Sequence, residues 1–454
     1  MPHMNNAKVK HPRLWLAPRL FGPLSIGLLV LALVILWIAM LPSATPTLSY
    51  IGQMFGAVAV LLMSIGLVLI STLSWVEPWF GGIDRAAIWH RNVMILGIIL
   101  LLPHAELASN PNVTELGNAL ATLGTVGLVV LVAWAILPRW RMLTPSFFHA
   151  FIARISKAQV VDAIKKRFGG YELWRSFHRT TGIFLAMGFL HGLLDGTAFS
   201  SPILRWSYVV IGGIGLGFYA YRELLSRYVM PNYDYQVESI QPVTDGLNEI
   251  TLRPLGRQLV FVPGQFALLY LEGKDGWHRH PFTISSAPDE RNIRVTVKAL
   301  GDFTSHINQI IKPGMPAIIG GAHGRFDHRR GSEAQIWVAG GVGIAPFLSW
   351  LRAIDTITLP KRVDFFYTVI GPAPFGDEIK AIARQYPSLH VHIIDSSVDG
   401  HLTTEQILTS VGSDVHKLSV FMCGPESMIN TFQRQFAKAG ISRRHIYHEY
   451  FDLR

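Results

Sequence analysis

The sequence predicts a multidomain membrane protein: an all-α six-helix transmembrane bundle, then an antiparallel β-barrel, then an α/β domain on a parallel sheet. Three observations predict it. Half of the 454 residues are hydrophobic and the mean hydropathy is +0.32, too apolar for an ordinary soluble enzyme. The apolar stretches crowd into the first half, at roughly 20–41, 52–76, 86–104, 117–137, 177–195 and 202–221, each near the ~20 residues a bilayer core requires. From about Tyr233 the chain changes to short alternating runs with Gly and Pro punctuation, and later to strand-like runs separated by helical ones, the patterns of an antiparallel barrel and a parallel sheet.

Six spans put both chain ends on one side, and the basic residues decide which. Lys8, Lys10, Arg13 and Arg19 precede the first span, Arg85 and Arg91 flank the third, and Arg139, Arg141, Arg154, Lys157, Lys165, Lys166, Arg167 and Arg175 fill the connector after the fourth. Loops 42–51, 105–116 and 196–201 hold no Lys or Arg. The positive-inside rule therefore makes the basic tail 1–19 and the whole soluble half cytoplasmic. The first apolar run exceeds a signal-peptide core and reads as an uncleaved span. A net charge of +10 concentrated beside spans points to anionic lipid as partner rather than nucleic acid. Cys423 is the single cysteine, which excludes an intrachain disulfide framework.

Within the apolar half, His90 and His104 share the third span, and His178 and His191 the fifth. Imidazoles in hydrocarbon are costly and tend to be functional. On a straight helix His90 and His104 are separated by roughly 21 Å of rise and stand about 40° short of whole turns, so they share a face. His178 and His191 are separated by roughly 20 Å of rise but lie about 140° from eclipsed, so their span must bend or tighten, for which Gly182 and Gly188 offer sites. Matched depths on two helices point to two b-type haems with bis-histidine ligation. His90 would pair with His178, and His104 with His191. His3, His11 and His149 lie in basic tail or connector and read as solvated surface residues.

The alternating runs of the soluble half contain His280-Pro281-Phe282-Thr283-Ile284-Ser285-Ser286. Phe282 can offer an apolar face to an isoalloxazine, and Thr283 and Ser286 can donate hydrogen bonds to it. This HPFTISS run resembles the flavin signature of the ferredoxin-reductase-like flavoproteins, in the variant of NADPH oxidases and ferric reductases. Those proteins place such a flavin barrel and a nucleotide domain after a six-helix, two-haem membrane domain, so the resemblance covers nearly the whole chain. It implies a haem domain at 20–222, an FAD-binding barrel at 232–328 and an NAD(P)-binding domain at 333–454. It also implies that His280, Pro281, Phe282, Thr283 and Ser286 bind FAD, with His280 where related soluble enzymes have Arg.

Gly301-Asp302-Phe303-Thr304 opens a predicted helix to about Ile311, and free N–H groups at a helix start attract pyrophosphate. Gly301, Phe303 and Thr304 are therefore further FAD-binding candidates. Gly321-Ala322-His323-Gly324-Arg325-Phe326 looks like the turn that joins the two soluble domains in these proteins. In QIWVAGGVGIAPFLSW a buried strand meets Gly340, Gly341 and Gly343 and then a helix start, a cradle for a dinucleotide phosphate. The later strands RVDFFYTV, HVHIID and LSVFMCG alternate with helices, and the last ends in Cys423-Gly424-Pro425, at the edge where such folds bind ligands. The resemblance implies that Cys423 and Gly424 lie beside the nicotinamide, and Pro425 is a further cofactor-binding candidate. It also implies that Phe451, three residues from the end, stacks on the flavin and yields to nicotinamide. Phe451 and Cys423 are thus the catalytic candidates.

The function these readings imply is electron transfer from cytoplasmic NAD(P)H through FAD and two haems to an external acceptor, ferric iron or its chelate, or dioxygen. It would take place in a bacterial inner membrane. Arg205 and Glu106 near the outer face fit either acceptor or simply cap spans. Ser396 and His401 lie where an adenosine 2′-phosphate could bind. The alternative, a six-span channel or receptor with a redox-sensing domain, calls for a pore loop or an Arg-rich sensor helix, and neither is found. No Ser-His-Asp triad, paired catalytic carboxylates or Cys-rich metal motif competes.

Overall fold

The computed structural model describes residues 21–41, 47–71, 73, 75–108, 110, 112–136, 176–225, 232–273, 276–300, 303–412 and 414–450. The predicted basic tail, most of the basic connector, Gly301 and Phe451 lie outside the described residues. The chain divides into two compact units, Met1–Arg227 and Tyr228–Arg454.

Helices occupy all six apolar stretches of the first unit: α1 (Phe21–Ala39), α2 (Thr47–Leu69), α3 (Ile83–Leu107), α4 (Glu115–Ile136), α5 (Thr181–Asp195) and α6 (Pro202–Ala220). Four helical stretches, Phe21–Ala39, Thr47–Leu69, Arg85–Leu107 and Pro202–Leu225, are long and apolar enough to cross a membrane. The apolar part of α4, Glu115–Leu131, is shorter, and α5 has 15 residues. The central helix is α2, with 61% of its apolar window buried against 22% for the other three. Small residues set its close packing: a side chain at Gly66 would meet Met94 of α3, and one at Gly215 of α6 would meet Ser64 of α2, the small-residue contact by which apolar helices associate. Leu28, Leu102, Ile203 and Trp206 are exposed, an outer face suited to lipid rather than water.

The bend expected at Gly182 or Gly188 is replaced by an interruption of the helix ahead of both glycines. Residues 176–178 are helical, Arg179 and Thr180 form a turn, and α5 restarts at Thr181. The Thr180 N–H donates to Phe177 O and the Ile183 N–H to Thr180 O, both at 2.9 Å. His178 and His191 thus sit on two helical segments separated by a turn. Gly182 instead gives room to the Tyr219 ring.

The second unit opens with β1 (Asn232–Thr244), β2 (Leu247–Pro254), β3 (Phe266–Gly273), β4 (Gly276–Thr283), β5 (Ile293–Lys298) and β6 (Pro316–His323). They form one antiparallel six-stranded sheet, ordered β4-β3-β6-β1-β2-β5. A bridge between Ile284 and Val295 links the ends of its two edge strands. Ile250, Leu252, Leu269, Val295 and Ile319 fill its core. A parallel sheet follows, ordered β11-β10-β7-β8-β9, from β7 (Ala334–Gly340), β8 (Arg362–Val369), β9 (Leu389–Asp395), β10 (Leu418–Gly424) and β11 (Ile446–Tyr450). Its helices are α7 (Ala345–Arg352), α8 (Gly376–Ala383), α9 (Thr404–Val411) and α10 (Glu426–Lys438). Strands β8 and β9 lie to one side of β7, and β10 and β11 to the other, so the strand order reverses between β7 and β10, where open α/β sheets bind ligands.

Helix α7 bolts the two sheets together. The Ser349 hydroxyl donates to Ser286 O at 2.8 Å, and Trp350 Nε1 donates to Pro263 O at 3.0 Å. The Arg352 guanidinium donates to Glu378 (2.6 and 2.9 Å), to Glu249 (2.7 Å) and to Ser285 O (3.0 Å). Glu378 and Glu249 raise the pKa of Arg352 against the opposing effect of burial. Breaking a buried charged network by removing one partner strands the others. Arg352→Ala should therefore destabilise the second unit by about 3 kcal/mol, read by urea unfolding, with Arg352→Lys between it and wild type.

His328 is buried against Trp337 and Trp350, and burial pulls its pKa down from 6.5 to about 4. Between those values the unfolded chain binds the proton and the folded one does not, so stability falls as pH drops from 6.5 towards 4. His328→Phe should flatten that part of the pH dependence of Tm.

Candidate functional site

The first unit brings the four span histidines together in the predicted pairs. The ring centroids of His90 and His178 are 6.1 Å apart with planes at 85°, and those of His104 and His191 are 6.3 Å apart at 70°. His90 Nδ1 lies 2.8 Å from Gly66 O, and His104 Nδ1 lies 3.0 Å from Gly52 O. His191 Nδ1 lies 3.0 Å from Gly117 O and 3.3 Å from Asp195 Oδ2. A neutral imidazole that donates from Nδ1 presents the Nε2 lone pair as a ligand.

These residues fit a haem. Ring centroids about 6 Å apart leave room for a metal between two facing imidazole nitrogens, given metal–nitrogen bonds of about 2 Å, so each pair would hold one haem iron. Among the described residues no group of three or more His, Cys, Asp or Glu could hold a bare metal ion, whereas a macrocycle brings its own equatorial nitrogens. Gly188, one turn before His191, has open space where a side chain would stand.

In the second unit the flavin candidates gather at the end of β4. The His280 ring stacks on Phe303 at 4.2 Å and 19°, and lies 6.0 Å from Phe282. Thr283 and Ser286 are buried. The Ser286 hydroxyl accepts the Arg294 N–H at 3.1 Å, and Thr304 Oγ1 accepts the Leu300 N–H at 3.1 Å. The predicted helix after Gly301 is a short turn, Thr304–His306, running into Ile307–Ile310. Ser285, between the predicted residues, has a buried hydroxyl with no hydrogen-bond partner among the described residues, which suits a ligand atom.

The nucleotide candidates meet at the strand-order reversal. Gly341 adopts the left-handed conformation, φ 55°, which glycine takes without strain. A Cβ on Gly343 would collide with the Cys423 carbonyl, and one on Gly340 would press on Met428. The glycine turn of β7 is therefore seated on the Cys423–Gly424 end of β10. Burial, and next the nearby Glu449 carboxylate, push the Cys423 thiol well above its usual range. It stays a neutral thiol rather than a nucleophile. Glu449 is its register partner on β11. The sequence reading missed Glu449, because only strand pairing brings them together. It also missed Asp195, whose spacing to His191 was the available signal.

Residues 234–343 match an FAD-binding domain and residues 337–434 an oxidoreductase NAD-binding domain. The chain is 26% identical over 223 residues to the reductase component of propane 2-monooxygenase from Mycolicibacterium smegmatis, covering 46% of this chain and 64% of that protein. It is 24% identical over 209 residues to flavohemoprotein A from Dictyostelium discoideum, covering 42% and 52%. The chain thus spans roughly half to two thirds of these relatives. Among solved structures, the FAD/NAD-binding domain of nitric oxide dioxygenase from Vibrio cholerae is similar with a TM-score of 0.43 and 18% identity, covering 48% of this chain and 98% of that one. The second unit is a ferredoxin-reductase-like FAD- and NAD-binding module, the module of NAD(P)H-dependent oxidoreductases.

Gly343→Ala forces the turn off β10. It should leave bound FAD and its reduction by dithionite unchanged while slowing NAD(P)H-dependent flavin reduction at least about tenfold, a loss of roughly 1.4 kcal/mol in transition-state stabilisation by stopped-flow.

Proposed function

We propose that this protein is a membrane flavocytochrome of the NADPH oxidase and ferric reductase type. It would pass electrons from cytoplasmic NAD(P)H through FAD and two b-type haems to an acceptor on the other side. The observation that carries this reading is the pairing of His90 with His178 and of His104 with His191, at a spacing that would let each pair hold one haem. When bound, FAD takes a hydride as an electron pair and releases electrons singly, while haem carries one at a time.

The chain's own residues would act as follows. His90 and His178 hold one haem, and His104 and His191 the other. Nδ1 bonds to backbone carbonyls fix the rings of His90, His104 and His191. His280, Pro281, Phe282, Thr283 and Ser286, with Gly301, Phe303 and Thr304, form the flavin site. Gly340, Gly341 and Gly343, with Cys423, Gly424 and Pro425, receive the nucleotide. Phe451 covers the flavin and gives way to nicotinamide. Domain limits follow the sequence reading, 20–222, 232–328 and 333–454, with loop 105–116 external. The six helices form the bundle, and the acceptor is ferric chelate or dioxygen.

Purified protein should contain two low-spin haems per chain. His104→Ala and His191→Ala should each remove one haem and spare NAD(P)H-dependent flavin reduction. Full haem content in both variants would overturn the ligand assignment. Acceptor reduction that superoxide dismutase abolishes identifies dioxygen, and reduction it leaves intact identifies the ferric chelate.

A further inference from the structure

In this NAD-binding module a dinucleotide lies across the carboxyl edge of the parallel sheet. With its pyrophosphate on the glycine turn after β7 and its nicotinamide beside Cys423 on β10, the adenosine half extends the other way, over the ends of β8 and β9. From β10 to β9 is three strand spacings, roughly 14 Å, within the reach of an extended dinucleotide. What stands at that end decides whether the adenosine ribose carries a hydroxyl or a phosphate. A 2′-phosphate calls for cations, Arg above all, whereas a carboxylate suits the free 2′-hydroxyl. The loops that follow β7, β8, β9 and β10, residues 341–346, 370–377, 396–403 and 425–428, hold no Lys or Arg. Lys380, the first cation after β8, comes behind Asp377 and Glu378 on α8.

The polar groups at the end of β9 are arranged to match. The Ser396 hydroxyl, a sequence candidate for the 2′-phosphate, donates to Val369 O at 2.8 Å and lies 3.0 Å from Thr368 Oγ1, so its proton is engaged in the seam between β8 and β9. The Ser397 hydroxyl donates to Asp395 Oδ1 at 2.6 Å, and the same oxygen accepts the N–H groups of Gly371 and Ser397, both at 2.9 Å. These bonds, the Ser397 hydroxyl first among them, lower the pKa of Asp395, and its Oδ2 takes part in none of them. Asp399 Oδ2 accepts the Asp395 N–H at 3.0 Å and adds a second acid to the turn. Ile370 and Val398 are the two most exposed large hydrophobics among the described residues, at 85% and 80%. Ile370 precedes Gly371, and the Val398 N–H donates to Asp395 O at 3.0 Å, so both stand close to the carboxylate and offer an apolar surface that a purine face can cover.

We propose that this site takes NADH and rejects NADPH, with Asp395 as the specificity-determining residue: Oδ2 accepts the hydrogen bond of the adenosine 2′-hydroxyl and repels a phosphate in its place. This rests on the nucleotide reading above.

The test is anaerobic stopped-flow reduction of the bound flavin in the solubilised chain, by NADH and by NADPH. Wild type should favour NADH at least about tenfold in the ratio of reduction rate to dissociation constant, since a hydrogen bond to a charged group and a like-charge contact separate the two. A preference for NADPH, or none, would overturn the proposal. Asp395→Asn keeps an oxygen for Gly371 and Ser397 and removes the charge. It should narrow the preference at least about tenfold, chiefly through faster reduction by NADPH, and an unchanged preference would overturn the assignment to Asp395. If that variant loses FAD, Ile370→Arg decides, because it sets a cation at the most exposed position near Asp395 and leaves the bonds of the carboxylate in place. Reduction by NADPH relative to NADH should rise at least about tenfold, and no rise would overturn the proposal. Flavin that dithionite reduces but neither nucleotide does would instead refute the nucleotide reading.

Discussion

An imidazole placed between apolar helices has two nitrogens to satisfy and no water to satisfy them, and the first unit is arranged around that need. Three of the four rings turn Nδ1 to a backbone carbonyl of a neighbouring helix: Gly66 and Gly52 of α2, and Gly117 of α4. The acceptor is each time the carbonyl of a glycine, where the helices approach most closely. A side chain at Gly52 would strike the backbone at Ala108, and one at Gly56 would strike the His104 ring. The most buried helix, α2, is therefore also the one that supplies the acceptors for α3. Packing and tautomer choice are one constraint here: pull α2 from α3 and two N–H donors lose their partners among apolar side chains, at a cost of several kcal/mol each on transfer scales.

The second unit meets the same demand with charge. Glu249 belongs to the antiparallel sheet and Glu378 to a helix on the parallel one, and Arg352 answers both. Arg294 stands 3.8 Å from Glu249 as a second cation, and the planar guanidinium fork of Arg352 bonds the two acids at once. Around it the Phe326 and Trp350 rings stack at 4.9 Å and 12°. The glycine turn after β7 is positioned from both sides, by β10 behind it and by α7 leaving it. That rigidity is what a hydride transfer demands, because small displacements of the reacting atoms cost large factors in rate.

Much of this was legible in the sequence because periodicity and local order survive folding. The six apolar stretches, the strands Arg362–Val369 and Leu418–Gly424 and the two imidazole pairings all follow from spacing along the chain. What escaped depends on contacts distant in sequence. The phase mismatch between His178 and His191 was visible, but the helix interruption at Arg179–Thr180 was not, because these residues carry no helix-breaking signature while Gly182 and Gly188 do. Ser286 reads as a flavin donor by type, yet its hydroxyl is engaged by the Arg294 N–H across the sheet. Glu449 and Cys423 are 26 residues apart and become neighbours only through parallel pairing.

On the proposed reading, the 14-residue spacing of His90 and His104 has a physical meaning of its own. It corresponds to roughly 21 Å along α3, against a hydrocarbon core of about 30 Å. If α3 stands across the bilayer with the pairs centred, each lies about 5 Å inside an interface, so two carriers cover the apolar layer and no third is required. A shorter spacing would leave one carrier buried at mid-membrane, far from its donor or acceptor. A longer one would push an imidazole into the headgroups, where water competes for its nitrogens. The need to break the fifth span follows from this. The partner histidines must match the depth of the first pair on a helix whose ideal phase does not, and between them the helix is interrupted at Arg179–Thr180.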